Sequence, residues 1–207
     1  MLCLKKKIQQ MSKDVPVDSI RFSMPTIAGD AIEFETPTAS SFEGAPQFHE
    51  DEWGQLEFFA EERLSEVQEV LRELKSFEAE HRTQQGWTQI YGREINRAAM
   101  GVSVLDIEQE LNANPLPAPI LTTASHLLGH VKQGFSLELG TNAYLYGLQQ
   151  NEHVTVLGAS LQGADDRLLT SAFFKLNKKF GLILVDWRQQ FVLAGVDDNG
   201  QFKLWRP

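Results

Sequence analysis

Apolar residues along this chain repeat with two periods, and the change falls near residue 133. Between residues 55 and 82, Ala60, Leu64, Val67, Leu71 and Leu74 recur at alternating spacings of four and three. Phe59, Val70 and Phe77 widen that stripe. The spacing predicts one long amphipathic helix over 55–82 with a narrow seam. Its other faces carry Glu61, Glu62, Glu66, Glu69 and Glu73 beside Arg63, Arg72 and Lys75. Glu69 and Glu73 are like charges one turn apart, so i,i+4 pairing does not account for the helix. The stripe must pack on another part of the chain or on a second copy. A homodimer through helix 55–82 is therefore one expectation.

From Phe135 onward the period is two. Phe135, Leu137 and Leu139 alternate with polar residues, Gly140-Thr141-Asn142 turns the chain, and 143–148 read as a second strand. After the polar turn 149–152, Val154, Val156 and Gly158 alternate in a third. A helix follows, with Asp165 and Asp166 at its start, Lys175, Lys178 and Lys179 in its last turns and Gly181 just beyond. These charges complement the helix dipole at both ends. Leu168, Leu169, Ala172, Phe173, Leu176 and Phe180 form its apolar stripe. Three more strands are predicted at about 182–187, 190–196 and 201–205, the last two joined by the hairpin turn Asp197-Asp198-Asn199-Gly200. Short turns impose antiparallel neighbours. The expected fold class is α+β: antiparallel meanders in the order βββ-α-βββ, with the helix on the sheet.

The rest is less regular. Ile20, Phe22 and Met24 alternate, Gly29-Asp30 offers a turn, and Ile32 and Phe34 alternate again, which predicts a short N-terminal hairpin. Residues 36–55 are rich in Pro, Gly, Ser and acids and read as a linker, with Phe42, Phe48 and Trp53 as anchors. Residues 93–111 are weakly helical, broken near Gly101 and resuming from Asp106 to Leu111. Pro115, Pro117 and Pro119 impose an extended stretch. Ile120, Ala124, Leu127, Leu128 and Val131 then predict a helix over 119–132. The organisation expected is a basic tail at 1–13, short strands and an acidic linker at 14–54, a helical region at 55–132, and an α+β unit at 133–207.

Composition changes little in this picture. The chain has 207 residues, of which 42% are hydrophobic and 23% charged, which is ordinary for a globular protein. Cys3 is the single cysteine, so no intrachain disulfide can form, which fits a reducing compartment. No apolar run approaches the roughly 20 residues that cross a bilayer. Met1–Leu4 is too short for the core of a signal peptide. Cytoplasmic location is the expectation, with Met1 and Met11 both candidate start sites.

Charge sharpens it. The net charge is −9, and it is unevenly spread. Residues 1–13 hold four lysines and no acid; 14–82 hold 17 acids and 5 bases; 83–207 hold 11 acids and 10 bases. Nucleic-acid binding needs clustered Lys and Arg. Beyond Lys5–Lys7 the sequence shows no such cluster, so neither nucleic acid nor membrane is an expected partner.

Candidate chemistry is sparse. His126 and His130 lie four apart and would share a face of the 119–132 helix, a spacing that can ligate zinc. Leu127 stands where the metalloprotease motif needs Glu, and His49, His81 and His153 are scattered. No metal or cofactor is therefore expected. Asp106, Glu108 and Glu110 cluster, but in a polar stretch that reads as a solvated helix end. Ser125 is not in a nucleophile elbow, and phosphate-binding glycine loops are absent. Trp187 belongs on the inward face of its strand, with Ile183 and Val185. The leading expectation is a non-catalytic cytoplasmic protein of adaptor, chaperone or toxin-neutralising type. It would bind another protein, a basic one, through an acidic surface at Glu62, Glu66 and Glu69, with Trp205 as a further contact. The alternative is a hydrolase with a spatially assembled site near His126 and His130.

Overall fold

The structure, a computed structural model, describes residues 21–207. The basic tail, Cys3, Met11 and Ile20 lie outside the described residues. In chain order the elements are β1 (Thr26–Ala28), β2 (Phe34–Glu35), α1 (Ala39–Phe42), β3 (Gln47–His49), β4 (Leu56–Ala60), α2 (Leu64–His81), β5 (Arg82–Thr83), β6 (Gly86–Trp87), β7 (Tyr91–Arg93), α3 (Val104–Leu111), β8 (Asn114–Leu116), β9 (Ile120–Thr122), β10 (Leu127–Val131), β11 (Gly134–Gly140), β12 (Ala143–Gln150), β13 (His153–Leu161), α4 (Asp166–Phe180), β14 (Leu182–Asp186), β15 (Phe191–Val196) and β16 (Phe202–Trp205). The α+β class and the βββ-α-βββ order from residue 134 match the expectation.

Local chemistry explains those C-terminal elements. Asn151 and Glu152 both adopt positive φ, which closes β12 onto β13 with the twist that two-residue hairpins require. Asp165 caps α4 by accepting from the Arg167 amide, and Gly181 ends it in the left-handed conformation. Asp197 Oδ1 accepts from the amides of Asn199 and Gln201, building the turn between β15 and β16.

The sheet itself was not foreseeable from the hairpins. Eight strands run in the order β16-β15-β14-β4-β13-β12-β11-β8, all neighbours antiparallel. The two C-terminal meanders do not touch; β4 lies between them, pairing with β13 on one side and β14 on the other. Residues 56–60 are thus a central strand and not the start of the predicted helix, which begins at Leu64. A strand covered on both faces has no polar side to show, so Leu56-Glu57-Phe58-Phe59-Ala60 carries no alternation.

Both faces of the sheet are covered. Phe58, Leu137, Leu145, Leu157 and Leu184 pack against Leu169, Phe173 and Leu176 of α4 and Ile107 of α3. On the opposite face, Phe59, Ile183, Val185 and Val192 receive Val67, Leu71 and Leu74 of α2. The seam of that helix, at Val67, Leu71 and Leu74, is therefore buried inside the chain. The other half of the same face is covered by a small sheet of order β2-β10-β9-β3, whose Phe48, Leu121 and Val131 join Trp53 against Tyr146 and Val156. Gly158, opposite Tyr146 in the register, makes this layer fit: a Cβ there would sit 2.7 Å from the tyrosine ring.

That small sheet overturns the helix predicted for 119–132. Its residues form a hairpin, β9 and β10, and β9 also pairs in parallel with β3. Thr123 Oγ1 accepts from the amides of Ser125 and His126, which fixes the turn. Gly129 sits at φ +131, with a virtual Cβ 2.6 Å from the Glu35 carbonyl, so only glycine lets β2 approach. The apolar spacing suited a helix; the backbone partners chose strands. The expected N-terminal hairpin does not form: Phe22 makes only an isolated bridge with Trp87, β1 at Thr26–Ala28 pairs in parallel with β7, and β2 pairs antiparallel with β10.

Candidate functional site

The joint between α2 and the small sheet holds a cluster of charge. Glu57, on the central strand, is fully buried. Its Oε2 accepts from Trp187 Nε1 at 3.2 Å, and its Oε1 accepts from the Arg97 guanidinium. Arg97 also donates to Asp30 Oδ2 at 2.7 Å, and Trp53 Nε1 donates to that same oxygen at 3.1 Å. Arg93, 2% exposed, donates to Thr26 Oγ1 at 3.0 Å and to the Gly54 carbonyl at 2.7 Å. Its guanidinium lies 4.7 Å over the Trp187 ring. Two carboxylates thus face two guanidiniums. Burial pushes the Glu57 carboxyl above the usual range, against the pull of Arg97 and Arg93. Burial also pushes Arg93 down to about 10. Burial acts to lower Arg97 as well, but Glu57 and Asp30 outweigh it and hold Arg97 more firmly protonated. Charge-balanced and largely buried, the cluster locks the second layer onto the sheet; Tyr146 adds to the lock by accepting from the Gly54 amide at 2.8 Å.

The outer edge of this cluster opens to the surface. Asp30 lines a pocket of about 320 Å³ together with the apolar Ile27, Ile32, Phe34 and Trp53 and the acidic Glu50 and Asp51. Glu50 has no ion pair or side-chain hydrogen bond among the described residues. Asp51 pairs with no Lys or Arg side chain among the described residues; its Oδ2 lies 3.3 Å from His49 Nδ1. The two acids belong to a single 3-10 turn, Glu50–Glu52, and the His49 side chain caps it by accepting from the Asp51 amide. An apolar lining and acids without a Lys or Arg partner therefore meet at one place.

The residues singled out in the sequence are dispersed. Glu62 lies in the 3-10 turn Glu61–Arg63 that leads into α2. Glu66 pairs with Arg63 at 2.7 Å and Glu69 with Arg72 at 3.6 Å, so i,i+3 pairs supply what the i,i+4 positions lack. Trp205 is half-buried against the α2 layer, with the Arg72 guanidinium 5.3 Å over its ring. His126 and His130 share no helix face, because there is no helix there. His126 is exposed in the β9–β10 turn, whereas buried His130 donates from Nε2 to the Ser41 carbonyl at 3.0 Å. Among the described residues, no group of three or more His, Cys, Asp or Glu is placed to hold a metal ion. Asp106 caps α3 in a reciprocal box with Ser103, whose hydroxyl and amide hold its carboxyl below the usual range. Trp187 points inward and is fully buried, as its strand parity predicts.

Sequence reasoning missed Asp30, Glu57, Arg93 and Arg97. Glu57 carries a readable signal: an acid between apolar residues in a stretch bounded by Gly54. Its partners lie up to 130 residues away and carry none. The folded part also gathers cations that the sequence scatters, since Lys75, Arg82, Arg188 and Arg206 line one pocket. No helix among the described residues is long and apolar enough to cross a membrane. Comparison with family models, curated proteins and solved structures gives no match.

Proposed function

We propose that this chain acts by binding another protein, and that the partner presents a basic side chain to the pocket beside Trp53. The observation that carries this reading is the meeting of an apolar lining with Glu50 and Asp51, neither of which pairs with a Lys or Arg side chain among the described residues. A partner arginine or lysine would lay its aliphatic stem on Ile27 and Phe34, both more than a third exposed, and bring its charge to Glu50 and Asp51. Such desolvated anchors dominate the energy of protein interfaces, and the acidic field of residues 14–82 would steer a basic partner toward them. The cluster behind the pocket keeps its wall rigid, which lowers the entropy lost on binding. Glu62, Glu66 and Glu69 contribute to the long-range field in this reading and not to the anchor.

The test is selection of peptides from a random display library on the immobilised chain. Enriched peptides should combine arginine or lysine with a bulky apolar residue and dissociate in about 0.5 M salt, where screening is short-ranged. Glu50→Lys with Asp51→Lys should abolish the enrichment, whereas charge reversal at Glu62, Glu66 and Glu69 should only weaken it. Peptides lacking basic residues, or unaffected by the Glu50 and Asp51 changes, would refute the assignment.

A further inference from the structure

The pocket beside Trp53 has a larger neighbour. That second pocket, of about 530 Å³, is lined by Ser23, Met24, His49, Glu52 and Trp87, and Asp51 belongs to both. The described residues begin at its side. Phe22 exchanges two backbone hydrogen bonds with Trp87, at 2.9 and 3.0 Å. The segment that precedes Arg21 therefore meets the fold one pocket away from Glu50 and Trp53.

That segment has the chemistry the first pocket lacks. Residues 1–13 hold four lysines and no acid. Within them, Leu4-Lys5-Lys6-Lys7-Ile8 sets the only run of three cations in the chain between two aliphatic residues. Every charged residue that lines the pocket beside Trp53 is an acid: Asp30, Glu50 and Asp51. Arg97 engages Asp30, whereas Glu50 and Asp51 pair with no Lys or Arg side chain among the described residues. Ile27 and Phe34 offer apolar surface beside them, each more than a third exposed.

On the reading that this pocket takes basic side chains, we propose that residues 4–8 of the chain itself occupy it. The lysines meet Glu50 and Asp51, Leu4 and Ile8 lie on Ile27 and Phe34, and an outside partner must displace them. The tether is long enough. Residues 9–20 join Ile8 to Arg21 and span up to roughly 40 Å when extended. A tether of this kind holds its ligand at an effective concentration of about 1 mM. At that concentration a contact of only about 0.1 mM affinity fills the pocket about nine-tenths of the time. A second copy at micromolar concentration cannot compete with that, so the occupant is the chain's own segment.

Cys3, the single cysteine, puts a nitroxide spin label two residues from Lys5 in the full chain. Nuclear magnetic resonance should then show selective loss of the Trp53 indole signal and of the Ile27, Phe34 and Glu50 amide signals. Lys5→Gln, Lys6→Gln and Lys7→Gln together keep label and tether and should restore those signals, with circular dichroism unchanged. Equal loss with and without the three lysines would overturn the contact. Loss carried from a labelled chain to an unlabelled one in a mixture would give the pocket to a second copy and overturn self-occupation. A synthetic peptide of residues 1–10 with Cys3→Ser supplies a second measurement. It should bind the triple Gln variant about tenfold more tightly than the natural chain, because its tethered competitor is gone. Adding Glu50→Lys and Asp51→Lys should abolish that binding. Equal affinity for the natural chain and the triple variant would overturn self-occupation. If the triple variant binds peptides selected from the library but not this one, self-occupation fails and the docking pocket stands. If it binds neither, both fail.

Discussion

The two faces of the eight-stranded sheet are built on different terms. On one, α3 and α4 lie over Phe58, Leu137, Leu145, Leu157 and Leu184, an apolar core at whose edge Asn177 of α4 bonds the Leu182 carbonyl and the Val196 amide. On the other, α2 covers one half and a second sheet the other half, and the joint between them holds Glu57, Arg93, Arg97 and Asp30. Helices laid on a sheet can close a face with hydrocarbon alone. Two unlike covering elements leave backbone ends and loops between them, and the polar groups of those ends need partners. Arg93 meets that need by donating to Thr26 and the Gly54 carbonyl, and Glu57 balances its charge. The proposed docking pocket opens at that joint.

The contrast can be broken most forcefully at Glu57. Glu57→Leu leaves the Trp187 N–H unpartnered and two guanidiniums facing Asp30 alone, and the loss of one member of a buried ion pair costs about 3–5 kcal/mol. Denaturant unfolding should show that loss. Adding Arg97→Met should restore a large part of it, because the uncompensated charge goes too; failure of the second change to help would mean that Glu57 acts by shape and not by charge. On the other face, Leu176→Ala should cost about 3 kcal/mol as a cavity in hydrocarbon, with no second change on the sheet expected to compensate.

The smallest effect separates the faces by pH. Burial alone would raise the Glu78 carboxyl on α2, but hydrogen bonds from Lys75, Gln190 and Arg82 outweigh it and hold it below the usual carboxylate range. The folded chain therefore binds this proton more weakly than the unfolded chain does. The stability it contributes is complete above about pH 5 and is lost as pH falls through the folded value. Glu78→Gln should be less stable at neutral pH and show a shallower decline on acidification. An acid limb of unchanged slope would show that Glu78 titrates alike in both states.

Periodicity made the C-terminal half legible because each hairpin there is closed by residues a few positions apart. Asn151 and Glu152 set a turn, Asp165 and Gly181 bound a helix, and alternation placed Trp187 inward without reference to the rest of the chain. The same reading failed at residues 119–132 and 56–60, where the outcome rests on strands that arrive from elsewhere. Leu127, Leu128 and Val131 fit a helical stripe, and only β2 and β3 beside them make a sheet. Both charge clusters belong to this second kind. Asp30, Glu57 and Arg97, or Lys75, Arg188 and Arg206, are distant in sequence and meet only when β4 enters the sheet and α2 lies down on it.

The amino-acid order by itself determined the α+β class, the six C-terminal strands, the helix between them and the concentration of acid in residues 14–82. Tertiary structure alone decided that β4 joins the two meanders, that the α2 seam is closed within the chain, and which charges share a pocket. Local structure follows from hydrogen bonds and torsions spanning a few residues, which a linear pattern records. Strand partners and charge clusters depend on contacts between segments far apart in the chain, and no local pattern carries that information.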